Sequence, residues 1–410
     1  MDVDLIIAGG GLVGLSLAHA VAAAGLQVAV IDPVPPEAAT EAVFDGRVSA
    51  LGRASYRMFD ALGLTGDMAS EAQPILDILV SDGAPASGGY RGPSPLTLHF
   101  GHTDAGAGPL GHIVENRVIR VAQNRAVAQQ GNMTLIAPDR VLDAEPDSDG
   151  VTVRLASGDK LRARLCVAAD GRDSALRTAA KIKTVRWAYG QTGIVTTVHH
   201  DRPHAGVAHE YFLPAGPFAI LPMTGNRASL VWTEPTARAN AIMQLDQNAF
   251  DAELSQRFGS HWGAVCSHGP RWSYPLAFHL ARDYIAPRLA LIGDAAHGIH
   301  PIAGQGLNLG LRDAAALAEV IVDAHRLGLD IGAPTTLAGY AQWRRFDNMS
   351  LAVTTDLLNR LFSNDLPPLR LARNLGMALI DRIAPMRNLF LRHAAGEVGT
   401  LPRLLKGQSL

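Results

Sequence analysis

The segment Gly9-Gly10-Gly11-Leu12-Val13-Gly14 fits the pattern G-x-G-x-x-G. A strand-like run, Asp4-Leu5-Ile6-Ile7-Ala8, precedes it, and an apolar segment of small residues, 12–25, follows it. In that setting the first glycine permits a tight turn and the second lets backbone approach a pyrophosphate. The third lets helix and strand pack closely. The helix N-terminus behind the loop presents free N–H groups and a positive dipole end to the phosphates. Asp32 ends the next apolar run, 23 residues after Gly9, where a carboxylate accepts from a ribose hydroxyl. Gly9, Gly11, Leu12, Val13, Gly14 and Asp32 are therefore expected to hold a dinucleotide. The motif alone does not choose which one.

Two further constellations follow apolar strand-like runs. The first is Ala169-Asp170-Gly171-Arg172-Asp173-Ser174-Ala175-Leu176-Arg177, where Asp170 and Gly171 bring a carboxylate and bare backbone to a cleft. The second is Gly293-Asp294-Ala295-Ala296-His297, then Pro301, then Gly304-Gln305-Gly306-Leu307-Asn308. Asp294 falls at a strand end, and Gly304 and Gly306 open a helix whose N-terminus suits an anion. His297 and His300 have H-x-x-H spacing, but a metal needs more donors and Pro301 follows directly, so no metal is assigned. His199-His200-Asp201 and His204 read as a polar turn, and Cys166 as a packed small residue.

The elements that must position these residues can be read coarsely. Segments 4–8 and 28–32 read as buried strands around the helix at 12–25, a βαβ unit that requires a parallel sheet. Helices are expected over about 52–63, 115–130, 304–327, 336–363 and 368–395. Segments 133–169 and 190–234 alternate as strands do. Segment 33–46, rich in Pro, Ala and acidic side chains, reads as a loop, and 82–109, rich in Gly, Pro and Ser, as the least regular part of the chain.

The 410 residues are 48% hydrophobic and 18% charged, enough for a large core and for two domains. A net charge of −2 argues against a nucleic-acid partner. The two cysteines, Cys166 and Cys266, suit a reducing compartment. No run reaches about 18 apolar residues, so no membrane-spanning helix is expected, and Met-Asp-Val-Asp lacks the charge of a secretory signal. The expected location is cytoplasmic, with peripheral attachment at the inner membrane surface as an option.

Together and in this order, the three constellations resemble the group A flavoprotein aromatic hydroxylases. That resemblance implies an α/β fold: a Rossmann-like FAD-binding domain of the para-hydroxybenzoate hydroxylase type, an inserted, mostly antiparallel β substrate domain, and C-terminal helices. The division expected is 1–75, 106–185 and 276–345 for FAD, 76–105 and 186–275 for substrate, and 346–410 for the helical region. It implies FAD, with NADPH or NADH as a transient reductant, because no second glycine fingerprint is visible. By the same resemblance Asp170 and Gly171 serve FAD and the nicotinamide route, Asp294 meets the ribityl chain, and Gly304, Gly306, Leu307 and Asn308 line the isoalloxazine.

Shorter pieces narrow the resemblance to ubiquinone-biosynthesis hydroxylases of the 2-polyprenyl-6-methoxyphenol hydroxylase type. They are Phe44-Asp45-Gly46-Arg47 with Ala50-Leu51, Val114-Glu115-Asn116 with Arg120, Tyr189-Gly190-Gln191-Thr192, Gly216-Pro217 with Leu221-Pro222, Tyr274-Pro275-Leu276, and Thr355-Asp356 with Leu361-Phe362-Ser363 and Arg373-Asn374. Implied are hydroxylation of a polyprenylated phenol with O2 through a flavin C4a-hydroperoxide, Arg47 beside the isoalloxazine, Arg120 among the cofactor residues, and Pro301 shaping the cavity where flavin is re-oxidised. His209 and Tyr211, on an expected strand of the substrate domain, are candidates to meet substrate. The Gly/Pro/His-rich stretch at 84–109 departs from the family pattern.

The stretch 366–410 carries seven Lys/Arg against two acids, with Leu and Phe between them at helical spacing. Such a basic amphipathic segment can lie in a membrane interface, or cap the FAD domain, or form a homodimer face. Competing functional readings are a hydroxylase of a soluble aromatic, a hydride-transferring reductase, and a flavin-bound scaffold within a ubiquinone-biosynthesis complex. A ferredoxin-type donor is an alternative to the nicotinamide.

Overall fold

The computed structural model describes residues 2–40, 46–86, 89–103, 108–362, 391–392 and 395–410. The chain begins β1 (Val3–Ala8), α1 (Leu12–Ala23), β2 (Val28–Ile31), α2 (Pro36–Thr40), β3 (Val48–Gly52), α3 (Arg53–Ala61), β4 (Gln73–Ile75), β5 (Asp77–Ala86), β6 (Gly89–Gly101), β7 (Gly111–Glu115) and α4 (Asn116–Gln129). It continues β8 (Met133–Ile136), β9 (Val141–Pro146), β10 (Val151–Leu155), β11 (Lys160–Ala168), α5 (Ala175–Ala179), β12 (Thr184–His200), β13 (Val207–Leu213), β14 (Gly216–Met223), β15 (Arg227–Pro235), α6 (Thr236–Met243) and α7 (Gln247–Phe258). It ends β16 (Val265–Ala281), β17 (Ile285–Ala286), β18 (Leu289–Leu291), β19 (His297–Gly298), α8 (Gln305–Arg326) and α9 (Pro334–Phe362).

The apolar runs Leu5–Ala8, Val28–Ile31, Leu165–Ala168 and Leu289–Leu291 are buried on both faces, as parallel strands covered by helices must be. They form the centre of one sheet, ordered β17-β18-β11-β1-β2-β8, with β10 and β9 continuing from β11. β1 pairs in parallel with β2 and β11, and β11 with β18. The three chemistry-bearing loops leave β1, β11 and β18, three adjacent strands running the same way. That adjacency brings Gly9, Asp170 and Asp294 to one edge of the sheet, where open α/β sheets bind ligands. α1 and α8 pack across one another at Gly310, where a Cβ would lie 2.7 Å from Val13 Cγ2.

A second sheet, β19-β16-β12-β15-β14-β13-β5-β6, is antiparallel except where β5 runs parallel to β13. Its outer face packs Tyr211, Phe218, Ile220, Leu230 and Trp232 against Phe250, Leu254 and Phe258 of α7. Its inner face packs Ala208, Phe212, Leu98 and Met223 against Ile113 and Ile302. A small third sheet, β3-β7-β4, lies between.

The expectation of an irregular 82–109 is corrected. β5 and β6 form a long hairpin, because β5 is held by β13 over Asp77–Asp82. Pro85 and Pro93 lie beside its register shifts, where a missing N–H is tolerated. Residues 33–46 contain the short α2, and α6 and α7 follow the expected strands at 190–234. Helices expected at 52–63, 115–130, 304–327 and 336–363 form as α3, α4, α8 and α9. Most of the helix expected at 368–395 lies outside the described residues.

Candidate active site

Gly9 has φ +109°, and a Cβ there would lie 2.2 Å from the Ala169 carbonyl oxygen. Only glycine lets the ends of β1 and β11 approach so closely. A Cβ on Gly14 would lie 2.0 Å from the Gly9 carbonyl oxygen, so the third glycine seats α1 on its own loop. Gly11 is different: nothing lies within 4 Å of its Cβ direction. It caps α1 without any side-chain hydrogen bond to the first turn, so those N–H groups face an open cradle of the shape a pyrophosphate requires. Leu12 and Val13 are half-buried at this turn, their side chains against the core.

Asp32 accepts from Gly10 N–H at 2.6 Å through Oδ2 and from Val34 N–H at 2.7 Å through Oδ1. It thus braces the glycine loop, and its remaining lone pairs are free for a ribose hydroxyl. Arg120 is half-buried on α4. One turn further on, Gln123 donates to Leu12 O and Ser16 Oγ, both at 2.9 Å, which puts this face of α4 against the first turn of α1.

Asp170 Oδ2 accepts from Ala175 N–H at 2.9 Å, while Oδ1 is buried without a hydrogen-bond partner among the described residues. An orphaned carboxylate oxygen at the sheet edge is a group awaiting a donor. Gly171 follows with φ +84°. Arg177, the last residue of this constellation, is buried and donates to Ala295 O and Arg172 O, both at 2.8 Å. It ties the second loop to the third. The Asp294 side chain is exposed, and its carbonyl accepts from His279 at 2.8 Å.

Gly304 has φ +61° at the start of α8, and a Cβ there would press on Ala50 at 3.2 Å. Gly306 is open, as Gly11 is, and Leu307 is half-buried. Asn308 is committed to the protein: its Oδ1 accepts from Gly52 N–H at 2.9 Å and its Nδ2 donates to Ala50 O at 2.8 Å. It pins β3 to α8. Arg47, one residue before β3, is exposed with its guanidinium 5.7 Å from the Trp272 ring centroid.

A small cavity lies between the inner face of the second sheet and the third loop. Glu210, Pro217, Ala219, Val231, Thr233 and Pro301 line it. The structure does not bring His209 or Tyr211 there. Strand alternation turns both to the outer face, where Tyr211 packs beside Phe218 and His209 lies 5.1 Å from the Trp262 ring. Glu210, between them, faces inward and was not anticipated. Burial pushes its carboxyl up to about 8. His300 is buried, with neither ring nitrogen hydrogen-bonded among the described residues, and burial holds it down at about 4. His297 and His300 face different partners, Asp313 and Tyr189.

An open cradle at Gly11, an uncapped helix N-terminus and an orphaned Asp170 oxygen, set on adjacent parallel strands, define a dinucleotide-binding fold. The family model described as an FAD binding domain matches residues 2–330. The chain is 50% identical over 413 residues to the ubiquinone hydroxylase UbiL of Rhodospirillum rubrum, across 99% of this chain and 93% of that protein. It is 33% identical to the 3-demethoxyubiquinol 3-hydroxylase of Escherichia coli, across 96% of this chain and 98% of that one. It shares its fold with the p-nitrophenol 4-monooxygenase PnpA from Pseudomonas putida DLL-E4, with a TM-score of 0.79 at 18% identity over 97% of this chain and 99% of that one. The chain belongs to the FAD-dependent aromatic hydroxylases of the ubiquinone-biosynthesis family, and FAD is its cofactor.

Proposed function

We propose that the protein hydroxylates the phenolic ring of a polyprenylated ubiquinone precursor, using O2 and electrons from NADPH or NADH. Bound FAD supplies the activation of oxygen. Gly9, Gly11, Leu12, Val13, Gly14, Asp32 and Arg120 hold its ADP half; Asp170, Gly171, Asp294, Gly304, Gly306 and Leu307 hold the rest. Arg47 would stand by the isoalloxazine, and Pro301 would shape the cavity where the flavin is re-oxidised. We assign 1–75, 106–185 and 276–345 to the FAD domain, 76–105 and 186–275 to the substrate domain, and 346–410 to a helical region.

The observation that carries the substrate class is the likeness to the ubiquinone hydroxylase UbiL, which extends across 99% of this chain and 93% of that protein. Quinone analysis of a deletion strain tests this: accumulation of a prenylated precursor lacking one ring hydroxyl is expected, and an unchanged quinone profile would refute it.

We further propose attachment to the membrane surface through the basic segment 366–410, most of which lies outside the described residues. No helix among the described residues is long and apolar enough to cross a membrane. Liposome flotation of the full chain against one ending near residue 365 tests the attachment, and equal recovery of two folded proteins would end it. A homodimer or a biosynthetic complex would use the same segment.

A further inference from the structure

Glu210 sits in the middle of a cross-strand row that is otherwise apolar. Register places it beside Val80 of β5 and Ala219 of β14. Beyond them the row continues through Leu98 on one side and Val231, Val195 and Trp272 on the other. A carboxyl in such a row is costly unless it is neutral or serves a ligand. Only 8% of the residue is exposed, and among the described residues no group donates a hydrogen bond to it and no cation pairs with it. Its row neighbours are small, so the carboxyl opens onto the cavity beneath Pro301. The void there measures about 10 Å3, roughly the room of one water. Thr233, two residues along the same face from Val231, is 1% exposed, and its hydroxyl has no hydrogen-bond partner among the described residues. A water in this void would have Glu210 and Thr233 as two of its polar partners and the third side open towards the Pro301 loop.

We propose that Glu210 is the proton acceptor for the ring hydroxyl of the phenolic substrate, reached through the single-water void that it shares with Thr233 and Pro301. The step rests on the phenol-hydroxylase reading above. The substrate O–H bond breaks, its electron pair stays on the phenolate oxygen, and the proton passes through the void to a Glu210 oxygen. The ring gains the electron density that oxygen transfer at a neighbouring carbon requires. After hydroxylation the proton returns to the product oxygen or to solvent. Burial holds the carboxyl at about 8, within reach of a phenol's own range. Of the other titratable groups on the described elements packed here, His300 lies beside Pro301, Arg227 of β15 pairs with Glu115 of β7 at 3.3 Å, and Arg47 lies over Trp272 at the end of the row, while His209, Tyr211 and Glu234 face outward.

The test uses the FAD-loaded full chain and the variants Glu210→Gln, Glu210→Asp and Thr233→Val. Wild-type kcat/KM for a short-chain prenylated phenol is expected to rise through a limb near pH 8. Glu210→Gln should keep its FAD, lose that limb and run about 100-fold slower, climbing only as the phenol ionises by itself. Glu210→Asp should restore part of the rate with the limb. Thr233→Val should slow the reaction several-fold without moving the limb. An unchanged limb in Glu210→Gln overturns the proposal. A second readout needs no turnover: a prenylated nitrophenol, coloured only when ionised, is titrated on each protein. Its colour should appear at least one pH unit lower on wild type than on Glu210→Gln. Coincident curves overturn the assignment even if the protein hydroxylates nothing, whereas separated curves with no hydroxylation sink the function and leave Glu210 as a phenol-binding acceptor.

Discussion

His297 Nε2 and Asp313 Oδ2 lie 2.5 Å apart, both side chains buried, and hold the third loop, after β18, onto α8. The same carboxylate accepts from Gly293 N–H at 3.0 Å, from Arg344 Nε at 2.7 Å and from Asn348 Nδ2 at 3.1 Å. One buried acid therefore fixes the loop before Asp294, the helix that Gly304 opens, and α9. Burial pushes the Asp313 carboxyl up, but His297 and Arg344 outweigh it and hold it down at about 2. A depressed carboxylate contributes stability that is complete above its unfolded value near 4 and is lost as pH falls through the folded one. Wild-type stability should thus fall between about pH 4 and 2. Asp313→Asn should cost about 3 kcal/mol at pH 7, the low end for breaking a buried pair because Arg344 keeps Asp347 at 2.8 Å, and should flatten that acid limb. Denaturant titrations across pH check both.

Gly11 and Gly14 should separate fold from ligand. An alanine at Gly11 meets nothing within 4 Å, so Gly11→Ala should leave apoprotein stability unchanged and weaken FAD about 10-fold or more by filling the cradle. An alanine at Gly14 meets the Gly9 carbonyl at 2.0 Å, so Gly14→Ala should lose about 1–3 kcal/mol of stability and its FAD together. Apoprotein melting and FAD fluorescence titration, run side by side, distinguish them. Equal behaviour of the two variants would show that Gly11 does not face the pyrophosphate.

The glycine loop was legible because it is local: turn, strand and helix lie within thirty residues, and each glycine answers a backbone need. The alternation of β13 was also legible, yet it could not say which face was inner. Tyr211 and Phe212 are both large and apolar, and only the packing of α7 on one side and Ile302 on the other separates them. Glu210 was missed for that reason. His297 was named for its H-x-x-H spacing, but its partner Asp313, with Arg344, was missed because no short pattern links residues 16 and 31 positions apart on α8 and its neighbours. The β5–β6 hairpin was hidden by its Gly and Pro content, since its pairing with β13 is set more than a hundred residues downstream.

Arg177 should matter to FAD without touching the fingerprint. Its buried guanidinium joins Arg172 O in the second loop to Ala295 O in the third. Arg177→Met keeps the apolar stem but removes both donors, leaving two carbonyls short of partners. The expected cost is roughly 1.5–3 kcal/mol of stability, with FAD affinity falling about 10-fold as the two loops drift. Isothermal titration of apoprotein with FAD checks the second effect. Unchanged affinity would show that the loops are held without this bridge.

Arg47→Ala carries the remaining prediction. Arg47 is exposed near Trp272, on backbone that is fixed from two directions: its carbonyl accepts from Asn116 N–H at 3.0 Å, and Asn308 clamps β3 just beyond it. A cation so placed can stabilise the anionic reduced cofactor without contributing to its grip, so FAD content should stay normal. Hydride-driven reduction or hydroxylation should slow about 10-fold, less than the loss of a fully buried donor because solvent screens the charge. Asn308→Ala should reproduce part of this defect by releasing β3, and the double variant should be less than additive if both act through the same placement. Stopped-flow reduction by NADPH under anaerobic conditions reads the first half of the cycle directly. Full-rate reduction and hydroxylation in FAD-replete Arg47→Ala would remove Arg47 from the site.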